Sequence, residues 1–147
     1  MRPTLKKLLQ FASSVGAVTV LLTSSAQTAE QAPLLTVKQV MNALLTPMTT
    51  VIWGAYELQT DAEWLAVENA ALGVLAAGNL LAIGGAGDAE TALALEPDWQ
   101  RYNQQMISAA RSVLAAVAVK DEEALSAAGN EGLYPPCESC HQQYQAQ

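Results

Sequence analysis

Near the C-terminus of this 147-residue chain stand Cys137, Glu138, Ser139, Cys140 and His141, two thiols three positions apart followed directly by an imidazole. On a helical turn, positions three and four apart share a face, so both sulfurs can reach one edge of a flat macrocycle while the imidazole turns under its metal. The spacing fits C-x-x-C-H, the attachment signature of c-type haem, in which the thiols add across two vinyl groups and the histidine binds the iron. Rival chemistries each lack a part. A structural zinc site wants four ligands, and the chain holds two cysteines and one histidine. A thioredoxin-like pair wants a strand–helix–strand setting, and a plain disulfide leaves His141 unexplained. Glu138 and His141 match Glu-x-x-His, but a di-iron bundle needs two such motifs and a second histidine. The expected cofactor is one covalently bound haem c, held by Cys137, Cys140 and His141.

Because His141 is the only histidine, the second axial position of the iron falls to a methionine, to another weak ligand, or to nothing. The candidates are Met41, Met48 and Met106. Met41 and Met48 lie seven apart, so on a regular helix both would point from one face toward the haem. The bland alternative is that they pack the core, as methionines on an apolar stripe usually do. Trp53, Trp64, Trp99, Tyr134 and Tyr144 receive no role. No glycine-rich phosphate loop and no nucleophile with a spare histidine is present, so no catalytic residue is assigned and no enzymatic activity is expected.

These residues need helices to position them. Alanine and leucine dominate and half of the chain is apolar, which predicts an all-α fold of one domain. Thr36-Val37-Lys38-Gln39 has the form of a capping box opening a first helix, which passes Pro47, where a kink is predicted, and ends near Gly54. Thr60-Asp61-Ala62-Glu63 opens a second helix that Gly84-Gly85 stops. Residues 84–96 read as a loop, after which Pro97 starts a third helix with Trp99, Met106, Ala110, Val113 and Val117 on one stripe. Asp121-Glu122-Glu123 begins a fourth, with a break or kink predicted across Gly129, Gly132, Pro135 and Pro136 before the turns from Cys137 to Tyr144. Four helices on short loops predict an antiparallel four-helix bundle with C-terminal haem attachment.

The first 26 residues read as a secretory signal peptide: Arg2, Lys6 and Lys7, a short apolar stretch, then Ser24, Ser25 and Ala26. Cleavage would leave the haem domain, 27–147, in the periplasm. Residues 1–26 hold three of seven basic residues and none of fourteen acidic ones, so the remainder carries four against fourteen, a balance of −10. That acidity argues against nucleic acid and, after cleavage, against a membrane surface. It fits redox partner proteins with a basic docking face and equally a surface that simply keeps the protein soluble, and it leaves open whether the chain is a monomer or a homodimer.

The motif at the end of a four-helix pattern resembles the class II cytochromes c, which include cytochromes c-prime and their low-spin, methionine-ligated relatives. Val40-Met41-Asn42-Ala43, followed by Met48 and Val51, is similar to the family's Val-Met-Lys-Ala followed by Met and Ile. The resemblance covers nearly all of the chain beyond the signal peptide and implies one-electron transfer with His141 proximal and Met41 distal. It equally implies an alternative, a five-coordinate protein that binds nitric oxide or carbon monoxide. Two positions depart from the family: where a basic residue usually follows the ligating histidine and another stands in the first helix, this chain has about Gln145 and Val37, with Lys38 next door as a partial substitute.

Overall fold

A computed structural model describes residues 32–145, all within one unit spanning Gln31–Gln147. The expected signal peptide, 1–26, lies outside the described residues. Among those residues every regular element is helical and there is no strand.

Helix α1 covers residues 37–53 and starts at the predicted capping box: the Gln39 N–H donates to Thr36 Oγ1 at 3.2 Å, and the Thr36 N–H donates to Gln39 Oε1 at 2.8 Å. Two α-helical stretches, Val37–Val40 and Thr46–Trp53, flank a π turn, Met41–Leu45, closed by the Thr46 N–H donating to the Met41 carbonyl. Proline lacks an N–H, and its ring crowds the carbonyl four residues back. For Pro47 that carbonyl belongs to Ala43, inside the wider π turn, so the distortion predicted at the proline is taken up one turn earlier. Helix α2, Asp61–Leu81, starts at the second capping box, with Thr60 N–H to Glu63 Oε2 at 2.7 Å. It runs out ahead of Gly84, whose φ of +83° and whose closeness to the Glu90 carbonyl admit only glycine.

Residues 84–96, predicted as loop, contain one helical turn, α3, Glu90–Leu93. The Glu90 carboxylate organises this segment by accepting from Gly87 N at 2.9 Å and from Val37 N at 3.0 Å, which ties it to the start of α1. These are long-range contacts that local propensity does not announce. Helix α4, Pro97–Val119, begins on its proline as predicted and buries Trp99, Met106, Ala110, Val113 and Val117. Helix α5, residues 122–145, is capped by Asp121 Oδ1, which accepts from Ala124 N at 2.9 Å.

Within α5, a π turn at Ala128–Leu133 precedes Tyr134–Cys140, and a second follows at His141–Gln145. The carbonyls that Pro135 and Pro136 would crowd belong to Glu131 and Gly132, both in the first of these turns. The predicted break or kink is therefore realised as a π turn, and the helix is not interrupted.

Helix α2 packs along α4 and against α1, while α5 packs along α4 and touches α1. The core they enclose is aliphatic, with Val40, Val67, Val74, Val113, Leu125 and Leu133 buried almost completely. Burying each such side chain is worth about 1.5–3 kcal/mol. Small residues let α2 and α4 approach: a Cβ on Gly78 would stand 2.6 Å from Ile107 Cγ1.

Candidate functional site

The last turns of α5, the middle of α1 and the first half of α4 enclose a cavity of about 200 Å³. Cys137, Cys140 and His141 line it from α5, after Pro136. Met41, Leu45, Thr46, Thr49, Thr50 and Trp53 line it from α1, Leu81 from the end of α2, and Trp99, Tyr102, Asn103 and Met106 from α4. The four residues singled out in the sequence thus share one cavity, although nearly a hundred positions separate Met41 from the cysteines. Cys137 and Cys140 are partly buried and unpaired, and His141 is exposed at the cavity's edge. Among the described residues no three His, Cys, Asp or Glu side chains converge as a metal cluster would require.

Met48 does not belong to this site, which corrects the expectation that it shares a face with Met41. The π turn inserts one residue between them, and an extra residue turns everything downstream by about 100°. The buried positions show the change: Val40 and Leu45 are five apart, and Thr49 and Ile52 continue the new register. Leu45 and Thr49 therefore follow Met41 on the cavity wall, while Met48 turns onto Gly73 of α2, where an added Cβ would lie 2.7 Å from its Cγ and Sδ.

Lys38 and Gln145 are exposed and do not line the cavity, and the Val37 N–H donates to Glu90 Oε2 at 3.0 Å. Arg101, next to the cavity residue Tyr102, is paired with Asp98 at 2.6 Å and lies 4.4 Å over the Tyr102 ring.

Burial pushes the Cys137 thiol up to about 11, with the neighbouring Cys140 as a second contribution, and burial raises Cys140 as well. Both thiols are consequently protonated at neutral pH. The polar hydrogens around the cavity are largely directed away from it. Trp99 Nε1 donates to the Leu81 carbonyl at 2.8 Å, Trp53 Nε1 to the Gly129 carbonyl at 3.0 Å, and Tyr102 Oη to Gln143 Oε1 at 3.1 Å. Thr49 and Thr50 donate to carbonyls of their own helix, at 2.9 and 2.7 Å.

Sequence reading missed Asn103, Trp53, Trp99 and the threonines. Asn103 had a readable signal, since it stands four after Trp99 and three before Met106, in register with the apolar stripe of α4. Trp53 and Trp99 are held from outside the cavity by Tyr134 and Tyr144, with ring centroids 6.3 and 5.2 Å apart and steep interplanar angles.

Compared with protein-family models, curated proteins and solved structures, the chain finds no match. The reading of the site therefore rests on its own chemistry. A mainly apolar cavity with two protonated thiols and an imidazole on one turn, facing a thioether across the cavity, has the donor set that a covalently held haem uses. The thiols would hold its edge, His141 would take one side of the iron, and Met41 stands on the facing helix.

Proposed function

We propose that this protein is a periplasmic monohaem cytochrome of the class II type, an antiparallel four-helix bundle that carries one haem c on Cys137, Cys140 and His141 and transfers single electrons. The observation that carries the reading is the convergence of C-x-x-C-H and Met41 on one cavity. The short connections from α1 to α2 and from α4 to α5 favour antiparallel neighbours, in keeping with the bundle.

Bound haem would supply a one-electron iron couple. The chain's own residues do the rest. Cys137 and Cys140 would hold the group covalently to α5, and His141 would supply a nitrogen to its iron. Met41 offers a sulfur from α1, and Leu45, Leu81 and Met106 give the cavity wall its apolar character. Held by His141 and Met41 from two helices, the group would exchange an electron with little rearrangement of the chain, which suits an electron carrier. The acidic surface favours a partner with a basic face.

The second reading, a five-coordinate protein that binds nitric oxide or carbon monoxide, draws on the same cavity. The donors named above are committed elsewhere, so an uncharged ligand would enter without displacing a hydrogen bond. For the haem itself, the test is a haem stain on a denaturing gel of protein made with the haem-attachment machinery. A stained band that is lost in Cys137→Ala/Cys140→Ala is expected, and an unstained wild-type band refutes the reading.

A further inference from the structure

His141 stands where the α-helical turns Tyr134–Cys140 pass into the π turn His141–Gln145, so its place at the cavity edge depends on how that turn is held. His141 is exposed, and the side-chain amide of the exposed Gln142 donates to Glu138 of the same helix at 3.3 Å. The hold on another helix comes from the next two residues. Gln143 and Tyr144 are half-buried, and both reach the start of α4.

Their hydrogen bonds form one directed chain. Tyr102 Oη donates to Gln143 Oε1 at 3.1 Å, Gln143 Nε2 to Tyr144 Oη at 3.2 Å, and Tyr144 Oη to Glu96 Oε2 at 2.9 Å. Gln143 Nε2 also lies 3.5 Å from Asp98 Oδ2. Every group in the chain donates in the same sense and the last acceptor is a carboxylate, so the bonds polarise one another and the charged end strengthens them. Glu96 occupies the capping position of α4, yet its side chain makes no capping bond and takes the Tyr144 hydroxyl instead. The Tyr144 ring adds the T-shaped contact to Trp99, at 5.2 Å between centroids. Trp99 and Tyr102 both line the cavity, so the two residues that follow Gln142 grip the same α4 wall that the cavity's occupant would meet.

Resting on the haem reading above, we infer that Tyr144, with Gln143 and Glu96, is a positioning residue: it clasps the π turn onto α4 and so holds His141 at a fixed place on the cavity edge. A turn stripped of these partners would keep only its own backbone bonds, and such segments open locally at low cost. His141 would then move relative to Trp99 and Tyr102 while the rest of the bundle stayed folded.

The test uses the full chain carrying Tyr144→Phe, which keeps the ring and removes the hydroxyl, or Tyr144→Ala, which removes both. In the haem-free chain, amide hydrogen exchange of residues 141–145 should quicken about tenfold in Tyr144→Phe, the order expected for a lost hydrogen bond to a charged group, and further in Tyr144→Ala. Exchange at the buried Val67 and Val74 of α2 should stay as in wild type, which separates local release from global loss of stability. In haem-loaded protein, electron paramagnetic resonance of the oxidised state reads the axial ligands, and His141 is the only histidine. A single species is expected in wild type, a mixture in Tyr144→Ala, and a spectrum closer to wild type in Tyr144→Phe, which keeps the contact with Trp99. Loss of stability alone would leave the folded protein's spectrum single. Exchange of residues 141–145 unchanged in Tyr144→Ala, or a single wild-type spectrum in both variants, overturns the inference. Should Tyr144→Ala fail to fold, Tyr144→Phe and Glu96→Gln, which neutralises the last acceptor, are read by the same two criteria. If the wild-type chain takes up no haem on the stained gel, the haem reading has failed, and the exchange measurement still decides whether the clasp holds the turn.

Discussion

The Cys137 thiol gives a quantitative handle on the site, because haem attachment would abolish its titration. In the chain made without haem-attachment machinery, burial pushes this thiol from 9.0 to about 11. A group whose folded value is raised contributes stability that is complete below its unfolded value and is lost as pH climbs through the folded one. For Cys137 the window runs from about pH 9 to pH 11, and the full effect is about 2.7 kcal/mol, at 1.36 kcal/mol per tenfold change in proton affinity. Between pH 8 and pH 10 roughly half of that, about 1.3 kcal/mol, should disappear. The measurement is urea unfolding of the reduced, haem-free chain at both pH values, beside Cys137→Ser, so that lysines and tyrosines cancel in the difference. Wild type should lose about 1.3 kcal/mol more than Cys137→Ser on going to pH 10. Thiol alkylation at pH 8 gives a second reading: the thiolate fraction at Cys137 should be about a hundredth of that of an unperturbed thiol. In haem-loaded protein the sulfur is a thioether and the alkaline loss should vanish. Alkylation at the rate of a free cysteine, or equal pH sensitivity of wild type and Cys137→Ser, would refute the reasoning.

Met41→Ala in haem-loaded protein should convert a reduced spectrum that ignores carbon monoxide into one that shifts within mixing; an unshifted spectrum would remove Met41 as ligand. Met48→Ala should leave the response to carbon monoxide as in wild type and cost about 1–2 kcal/mol in urea unfolding, since its side chain packs on Gly73 outside the cavity. Gly73→Ala should destabilise the wild type through the clash with Met48, yet stabilise the Met48→Ala background by up to about 1 kcal/mol, the helix preference of alanine over glycine. Thr60→Ala should cost about 1 kcal/mol of stability by removing the cap on α2, without altering the cavity.

The parts of the fold legible in the sequence are those fixed by neighbours along the chain. Capping at Thr36 and Thr60 depends on residues three positions away, the start of α4 on Pro97, and the cap of α5 on Asp121. The apolar stripe of α4 was legible because that helix is regular, so spacing translates directly into a face. What was not legible depends on distant partners. The turn α3 exists because Glu90 reaches Val37, 53 positions away. The place of Asn103 on the buried stripe of α4 could be read from spacing, but its partner, the Gly78 carbonyl of α2 25 positions away, could not. The cysteines and His141 were legible as a group because five adjacent residues on one turn need no register beyond their own.

Met41 and Met48 show where register reasoning fails on a helix that is not uniform. Seven residues make a face at 3.6 per turn, and that arithmetic holds only while every turn has the same pitch. Pro47 makes a uniform pitch costly, and the π turn that answers it rotates the rest of α1 by one residue's worth of angle. The consequence is selective: Met41, at the turn's start, keeps its place on the cavity wall, while Leu44 and Met48 yield theirs to Leu45 and Thr49. Helix α5 repeats the arrangement, with a π turn ahead of Pro135 and Pro136 setting the angle at which Cys137, Cys140 and His141 meet the cavity. Both walls that bear the candidate ligands are thus aimed by proline-linked π turns, which ties the geometry of the site to residues that never touch its occupant.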